Sequence, residues 1–137
     1  MRVAVVFFGG KNRSKTAEIA KALANGIEAN GHHVDIIDGD HDVNTKLTIY
    51  QYVAVGTSAV NTFGGKIPDV LTRYLSSAGS MAGKRSFAFA VKGGMRQYKT
   101  LAKIMATMEH EGMYLKYSEV LSSATEAEAI GKRLHIE

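Results

Sequence analysis

The sequence predicts an α/β fold in which five parallel strands form a sheet with helices on both faces. Three observations predict it. Short apolar runs alternate along the chain with stretches whose apolar residues recur at helical spacing. Several of the strand-like runs are apolar at consecutive positions, the pattern of a strand buried on both faces. The loops after strands one, three and four carry Gly, hydroxyl and basic residues, whereas the other strand-to-helix loops are plainer. A length of 137 residues suits one domain, spanning residues 1–137.

The first strand is residues 3–8, an unbroken apolar run. Ile19, Leu23 and Ile27 then recur every fourth residue beside Ala20 and Ala24, which makes the inward stripe of a helix. Asn30 and Gly31 end that helix, with Gly31 suited to the left-handed position just past it. Residues 33–38 form a second strand and 39–45 a polar connection. Residues 52–57 are the third strand, followed by a loop of small and hydroxyl residues, 58–66. Pro68 suits the first turn of the next helix, where a missing N–H costs nothing. Its inward residues are Ile67, Val70, Leu71, Tyr74 and Leu75. Gly79 and Gly83 precede the fourth strand, 86–91, and a basic Gly-rich loop covers 92–97. A helix over 98–111 places Leu101, Ile104, Met105 and Met108 on one face and stops at Gly112. Residues 113–121 are the fifth strand. Ser123 with Glu126 forms a capping box that opens a last helix, with Ala127, Ile130 and Leu134 inward.

Composition excludes several function classes. Without cysteine the chain has no disulfide, thiolate metal site or Cys nucleophile, and a cytoplasmic location is expected. The run 3–8 is too short for a signal-peptide core or a membrane span. A net charge of +4 implies an anionic partner, but no run of five like charges points to nucleic acid. His32, His33 and His41 among Asp35, Asp38, Asp40 and Asp42 match no standard ligand spacing, and belong to a solvated strand end and loop. Phe87 and Phe89, and the Met residues at 95, 105, 108 and 113, are packing residues.

The chemistry concentrates in the stretch Gly9, Gly10, Lys11, Asn12, Arg13, Ser14, Lys15 and Thr16, between the first strand and its helix. A helix N-terminus presents unpaired N–H groups and the positive end of the helix dipole. Three cations beside it make the turn attractive to a dianion, above all phosphate. Without a ligand it would be a solvated basic turn capped by Ser14 or Thr16. In a parallel sheet, ligands bind outside the carboxyl ends of strands where strand order reverses. The loops after strands one, three and four carry the Gly, hydroxyl and basic residues, so they are expected to form one site.

These segments resemble the flavodoxin-like superfamily of flavodoxins and FMN reductases over essentially the whole chain. Ser14 to Ala20 stands where those families carry Gly, Asn and Thr followed by a helix. Val55, Gly56, Thr57 and Ser58, followed by Ile67 and Pro68, are similar to the second flavin loop, and Ala90 to Gly94 to the third. The resemblance implies the strand order 2-1-3-4-5 and FMN as cofactor, in electron transfer or a small flavin-dependent reductase. It places the phosphate on Gly10, Lys11, Asn12, Arg13, Ser14, Lys15 and Thr16. The ring would lie between Thr57, Ser58, Ala59, Asn61 and Phe63 on one side and Lys92, Gly93, Gly94 and Tyr98 on the other. The chain has no Trp, which leaves Phe63 or Tyr98 to cover a ring face. Lys92, Arg96 and Lys99 would favour reduced, negatively charged flavin, and an acidic protein is the expected redox partner.

Two other readings compete. One is a flavodoxin-like binding or regulatory module that has lost FMN. The other is a nucleotide-binding loop, since Gly9 to Thr16 fits G-x-x-x-x-G-K-T except that Ser14 replaces the second glycine. There Lys15 would reach phosphate, Thr16 would hold magnesium, and Asp38 would be the acidic partner.

Overall fold

The computed structural model describes residues 1–42, 44–61, 65–93 and 96–136. The strands are β1 (Arg2–Phe8), β2 (His33–Asp38), β3 (Tyr52–Thr57), β4 (Arg85–Val91) and β5 (Tyr114–Leu121). The helices are α1 (Arg13–Glu28), α2 (Asp69–Ser77), α3 (Gln97–His110) and α4 (Ala124–Arg133). All strand pairs are parallel and run in the order β2-β1-β3-β4-β5, as the resemblance implied. The connection from β2 to β3 contains no helix among the described residues. None of the described helices is long and apolar enough to cross a membrane.

The apolar runs follow from burial on both sheet faces. Val3, Val5 and Phe7 face α1 and α4, together with Tyr52, Ala54, Phe87 and Phe89. Ala4, Val6 and Phe8 face α2 and α3, together with Val53, Val55, Ala88 and Ala90. Each large aliphatic side chain buried this way contributes about 1.5–3 kcal/mol. The edge strands β2 and β5 are more exposed, and their sequences are correspondingly more polar.

Three helix starts differ from expectation or sharpen it. Asn12, rather than Ser14 or Thr16, caps α1, its side chain accepting from the Lys15 N–H at 3.4 Å. The helix therefore starts earlier, and Arg13, Ser14, Lys15 and Thr16 are its first turn. Pro68 is the extended cap of α2 and lies just outside the helix. Ser123 caps α4 as expected, its Oγ accepting from the Glu126 N–H, but the return bond of the capping box shifts by one residue, with Glu126 Oε1 accepting from the Ser122 N–H.

The position of α1 is fixed by its crossing with α4. A Cβ on Gly26 would stand 2.2 Å from the Glu128 carbonyl oxygen, and one on Gly131 would stand 2.4 Å from that of Leu23. Both glycines let two backbones meet where no side chain fits. Below the crossing, Asn30 Nδ2 donates to the Lys132 carbonyl at 2.7 Å.

A Gly to Ala change inside a helix ordinarily stabilises by about 0.5–1 kcal/mol. At Gly26 the sign should reverse, because the added methyl meets backbone that cannot rotate away. Chemical denaturation of Gly26→Ala should show a loss of about 1–3 kcal/mol. Unchanged or raised stability would show that the two helices can part without cost.

Candidate functional site

The loops after β1 and β3 are joined by a buried seam. Ser58 is at its centre: its hydroxyl donates to the Gly9 carbonyl at 2.6 Å and accepts from the Asn12 N–H at 3.2 Å. The Thr16 hydroxyl reaches the Asn12 carbonyl at 2.8 Å and Ser58 Oγ at 3.3 Å. Thr57 Oγ1 lies 2.8 Å from the carbonyls of both Phe8 and Ser58. The Lys11 N–H donates to the Ala59 carbonyl at 2.9 Å. Gly10 turns with φ at 57° against this seam, and a Cβ there would stand 2.0 Å from the Ser58 carbonyl oxygen. Gly10 is thus required by close approach as well as by conformation.

Above the seam lies a cavity of about 310 Å³, lined by Lys11, Asn12, Ser58, Ala59, Asn61, Lys92 and Gly93. It therefore draws on all three loops singled out in the sequence, and its size is at the small end for a ligand pocket. Lys15 ties the first loop to the third, its Nζ donating to the Lys92 carbonyl at 3.0 Å. A second hollow adjoins it, lined by Asn12, Ser14, Lys15, Glu18, Ile19, Ser122, Ser123 and Ala124. Among the described residues, the N–H groups of Arg13 and Ser14 make no hydrogen bond, as the first turn of a helix leaves them.

Several expected ligand groups are placed differently. Thr16 and Thr57 are fully buried, and their hydroxyls are spent on the seam. Arg13 turns away from the cavity toward the end of β2, where it pairs with Asp38 and, at 2.9 Å, with Asp40, over the ring of Phe7. Asp40 also accepts from the Gly9 N–H at 2.8 Å. Arg13 therefore acts as a brace between α1 and the 38–40 turn. Tyr98 is 72% exposed on α3 and lines neither hollow. Phe63 and Gly94 lie outside the described residues. The nucleotide-loop reading loses its magnesium ligand in the buried Thr16 hydroxyl, and its acid in the pairing of Asp38 with Arg13 and His41.

Sequence reasoning missed Ser122 and Ser123. They reach the site because α1 and α4 lie side by side with their N-termini at one sheet edge. The capping box marked that helix start, but only the packing of α1 on α4 brings it beside Ser14.

The arrangement is a flavodoxin-like α/β fold with a basic, glycine-bearing loop cluster at the point where strand order reverses. Solved structures similar to the chain include a flavodoxin from the domain Archaea, at 22% identity and TM-score 0.71, over 96% of this chain and 94% of that one. Oxidised flavodoxin 1 from Bacillus cereus matches at 16% identity and TM-score 0.73, over 97% and 99% of the two chains. Two-electron reduced Megasphaera elsdenii flavodoxin matches at 15% identity and TM-score 0.68, over 95% and 96%. At these identities the likeness is one of fold. No protein-family model matches the chain, and no curated protein does either.

The brace at Arg13 makes stability depend on pH. Partial burial pushes the Asp38 carboxyl up, but hydrogen bonds from Arg13, His41 and the Asp40 N–H outweigh it and hold the pKa below its ordinary 3.8. A carboxyl depressed on folding stabilises the protein above its unfolded pKa, and that contribution is lost as pH falls through the folded value. Denaturation midpoints measured from about pH 5 down to pH 2 should fall more steeply in the native chain than in Asp38→Asn. Parallel profiles would mean that the pairing contributes nothing to folding.

Proposed function

We propose that the protein binds FMN in the cavity between the β1, β3 and β4 loops, and acts in electron transfer or as a small flavin-dependent reductase. The observation that carries this reading is the convergence of three Gly- and Lys-bearing loops on one cavity at the switch point of a flavodoxin-like sheet. The proteins it resembles in fold include oxidised and two-electron reduced flavodoxins.

The donor set suits a phosphate at the start of α1. The N–H groups of Arg13 and Ser14 point out of the helix end, and Ser14 is exposed. Lys11 and Lys15 add positive charge there, while Arg13 is held by Asp38 and Asp40 and contributes less. Asn61 and the backbone at Gly93 border the part of the cavity where the polar edge of the ring would bond. Phe63 remains the candidate for covering a ring face, a role that the exposure of Tyr98 makes less suitable for that residue. FMN, when bound, supplies one- and two-electron redox chemistry. Lys92, Arg96 and Lys99 are exposed beside the third loop, where they would favour added negative charge and steer an acidic redox protein toward the site.

A second reading has its own observation. The N–H groups of Lys11 and Asn12 are already bonded to Ala59 and Ser58, as in a loop that serves structure without a cofactor. A flavodoxin-like module without FMN would account for that.

The absorbance spectrum of the purified protein and titration of the apo form with FMN separate the two. Tight binding is expected. Lys15→Ala should weaken it about tenfold, the loss of one charge-assisted contact, and Arg13→Ala less than about threefold. A colourless protein indifferent to FMN and riboflavin would favour the cofactor-free module.

A further inference from the structure

At the opposite end of the sheet lies an apolar cavity of about 300 Å³ that the loop cluster does not touch. Its walls include Tyr117 of β5 and Ile130 and Leu134 at the end of α4, with Lys116 and Arg133 at its rim and Tyr52 inside. Tyr52 opens β3 and pairs with Val3 and Arg85, so the cavity is separated from the β3 loop by about 17 Å of strand. The geometry points to a second binding site here, for a small apolar carboxylate.

Tyr52 is only 1% exposed, yet its hydroxyl makes no hydrogen bond among the described residues. The one fully enclosed side-chain polar atom without a partner among those residues is Gln97 Oε1. The Tyr52 hydroxyl is therefore not fully sealed in protein, and Tyr52 lines the cavity. A buried hydroxyl without a partner is a costly feature unless a ligand or water meets it. Burial raises its pKa to about 12, so it stays a neutral donor, and the nearby charge of Arg85 opposes that shift only in part.

The surroundings define the chemistry of the occupant. The ring of Tyr117 stacks on Phe87 at 5.8 Å and, with Ile130 and Leu134, offers an apolar wall. Lys116 occupies the irregularity in β5 where Ser86 pairs with Leu115 but Phe87 pairs with Tyr117. Its Nζ lies 5.0 Å from the ring centre of Tyr114, and Arg133 Nε bonds the Ala129 carbonyl at 3.3 Å. Neither cation has a carboxylate partner within ion-pair distance among the described residues. Glu119 is on the same strand and accepts from the Tyr117 hydroxyl at 2.8 Å. Among the described residues, Lys116 and Arg133 line the cavity with His135, and Arg85 acts on Tyr52 from beside it, against the one acid Glu119, so an anionic head group is favoured over a cationic one.

The test uses 2-naphthoate, titrated into the full chain labelled with nitrogen-15, with amide shifts as the readout. Saturable shifts are expected at Tyr52, Tyr117 and residues 130–136, with none at 11–16. Tyr52→Phe, which removes only the hydroxyl, and Arg133→Gln, on the surface, should each weaken binding about fivefold. The uncharged 2-naphthylmethanol should bind at least about tenfold more weakly than the acid. Shifts confined to the loop cluster, an alcohol that binds as well as the acid, or indifference to Tyr52→Phe would overturn the assignment. So would the absence of any saturable shift.

Discussion

Gly10 turns directly against the carbonyl of Ser58, and around that contact the ends of β1 and β3 are sewn together by the hydroxyls of Ser58, Thr57 and Thr16. These are buried polar groups, so each must be satisfied, and removing the Ser58 hydroxyl would take the acceptor from the Asn12 N–H and leave the Gly9 carbonyl only the longer bond from Thr16, at 3.4 Å. Such losses cost about 1–3 kcal/mol each. The seam sets where α1 begins, because Asn12, its cap, is held by Ser58. It also sets the floor of the cavity, because Ala59 is held by Lys11. The two loops cannot move independently. The floor of the cavity is thereby held in place by the fold itself.

The same logic extends outward from α1. Its far end is locked by the crossing of Gly26 on Gly131, and its near end by Arg13 on Asp38 and Asp40. The helix is thereby fixed at both ends against different elements, α4 below and the β2 turn above. A shift of either anchor would move the first-turn N–H groups, which are the groups an anion needs.

Much of the fold was legible because its determinants are local or periodic. The run 3–8, the stripe of Ile19, Leu23 and Ile27, and the left-handed Gly31 and Gly112 all act through the chain near them. The three loops of the site were legible for the same reason, since topology alone brings loops of one composition to one edge. The individual side chains were less so. Arg13 looked like a phosphate ligand because Asp38 and Asp40 are distant in sequence, and only the pairing of β2 with β1 brings them within reach. Thr16 looked available because nothing local reveals that Ser58 will bury it. Tyr52 looked like the start of an apolar strand, and no pattern in sequence distinguishes a tyrosine whose hydroxyl has a partner from one whose hydroxyl has none.

The first turn of α1 is where local rules and tertiary structure disagree most. It carries Arg13 and Lys15 but no acid, so two cations stand at the positive end of the helix dipole. An isolated helix with that start would fray. Asp38 and Asp40 relieve Arg13 with full opposite charge from the neighbouring strand turn. Among the described residues Lys15 bonds the carbonyl of Lys92, a dipole in place of a charge, and it borders a hollow lined by Ser14, Ser122 and Ser123 and by one acid, Glu18, with which it forms no ion pair. The fold thus compensates one cation and leaves the other pressed against a helix end with unbonded N–H groups. Local choices that oppose stability without a folded-state remedy tend to mark functional positions. A negative group at the N-terminus of α1 would complete the compensation, and that is where the proposed phosphate would stand.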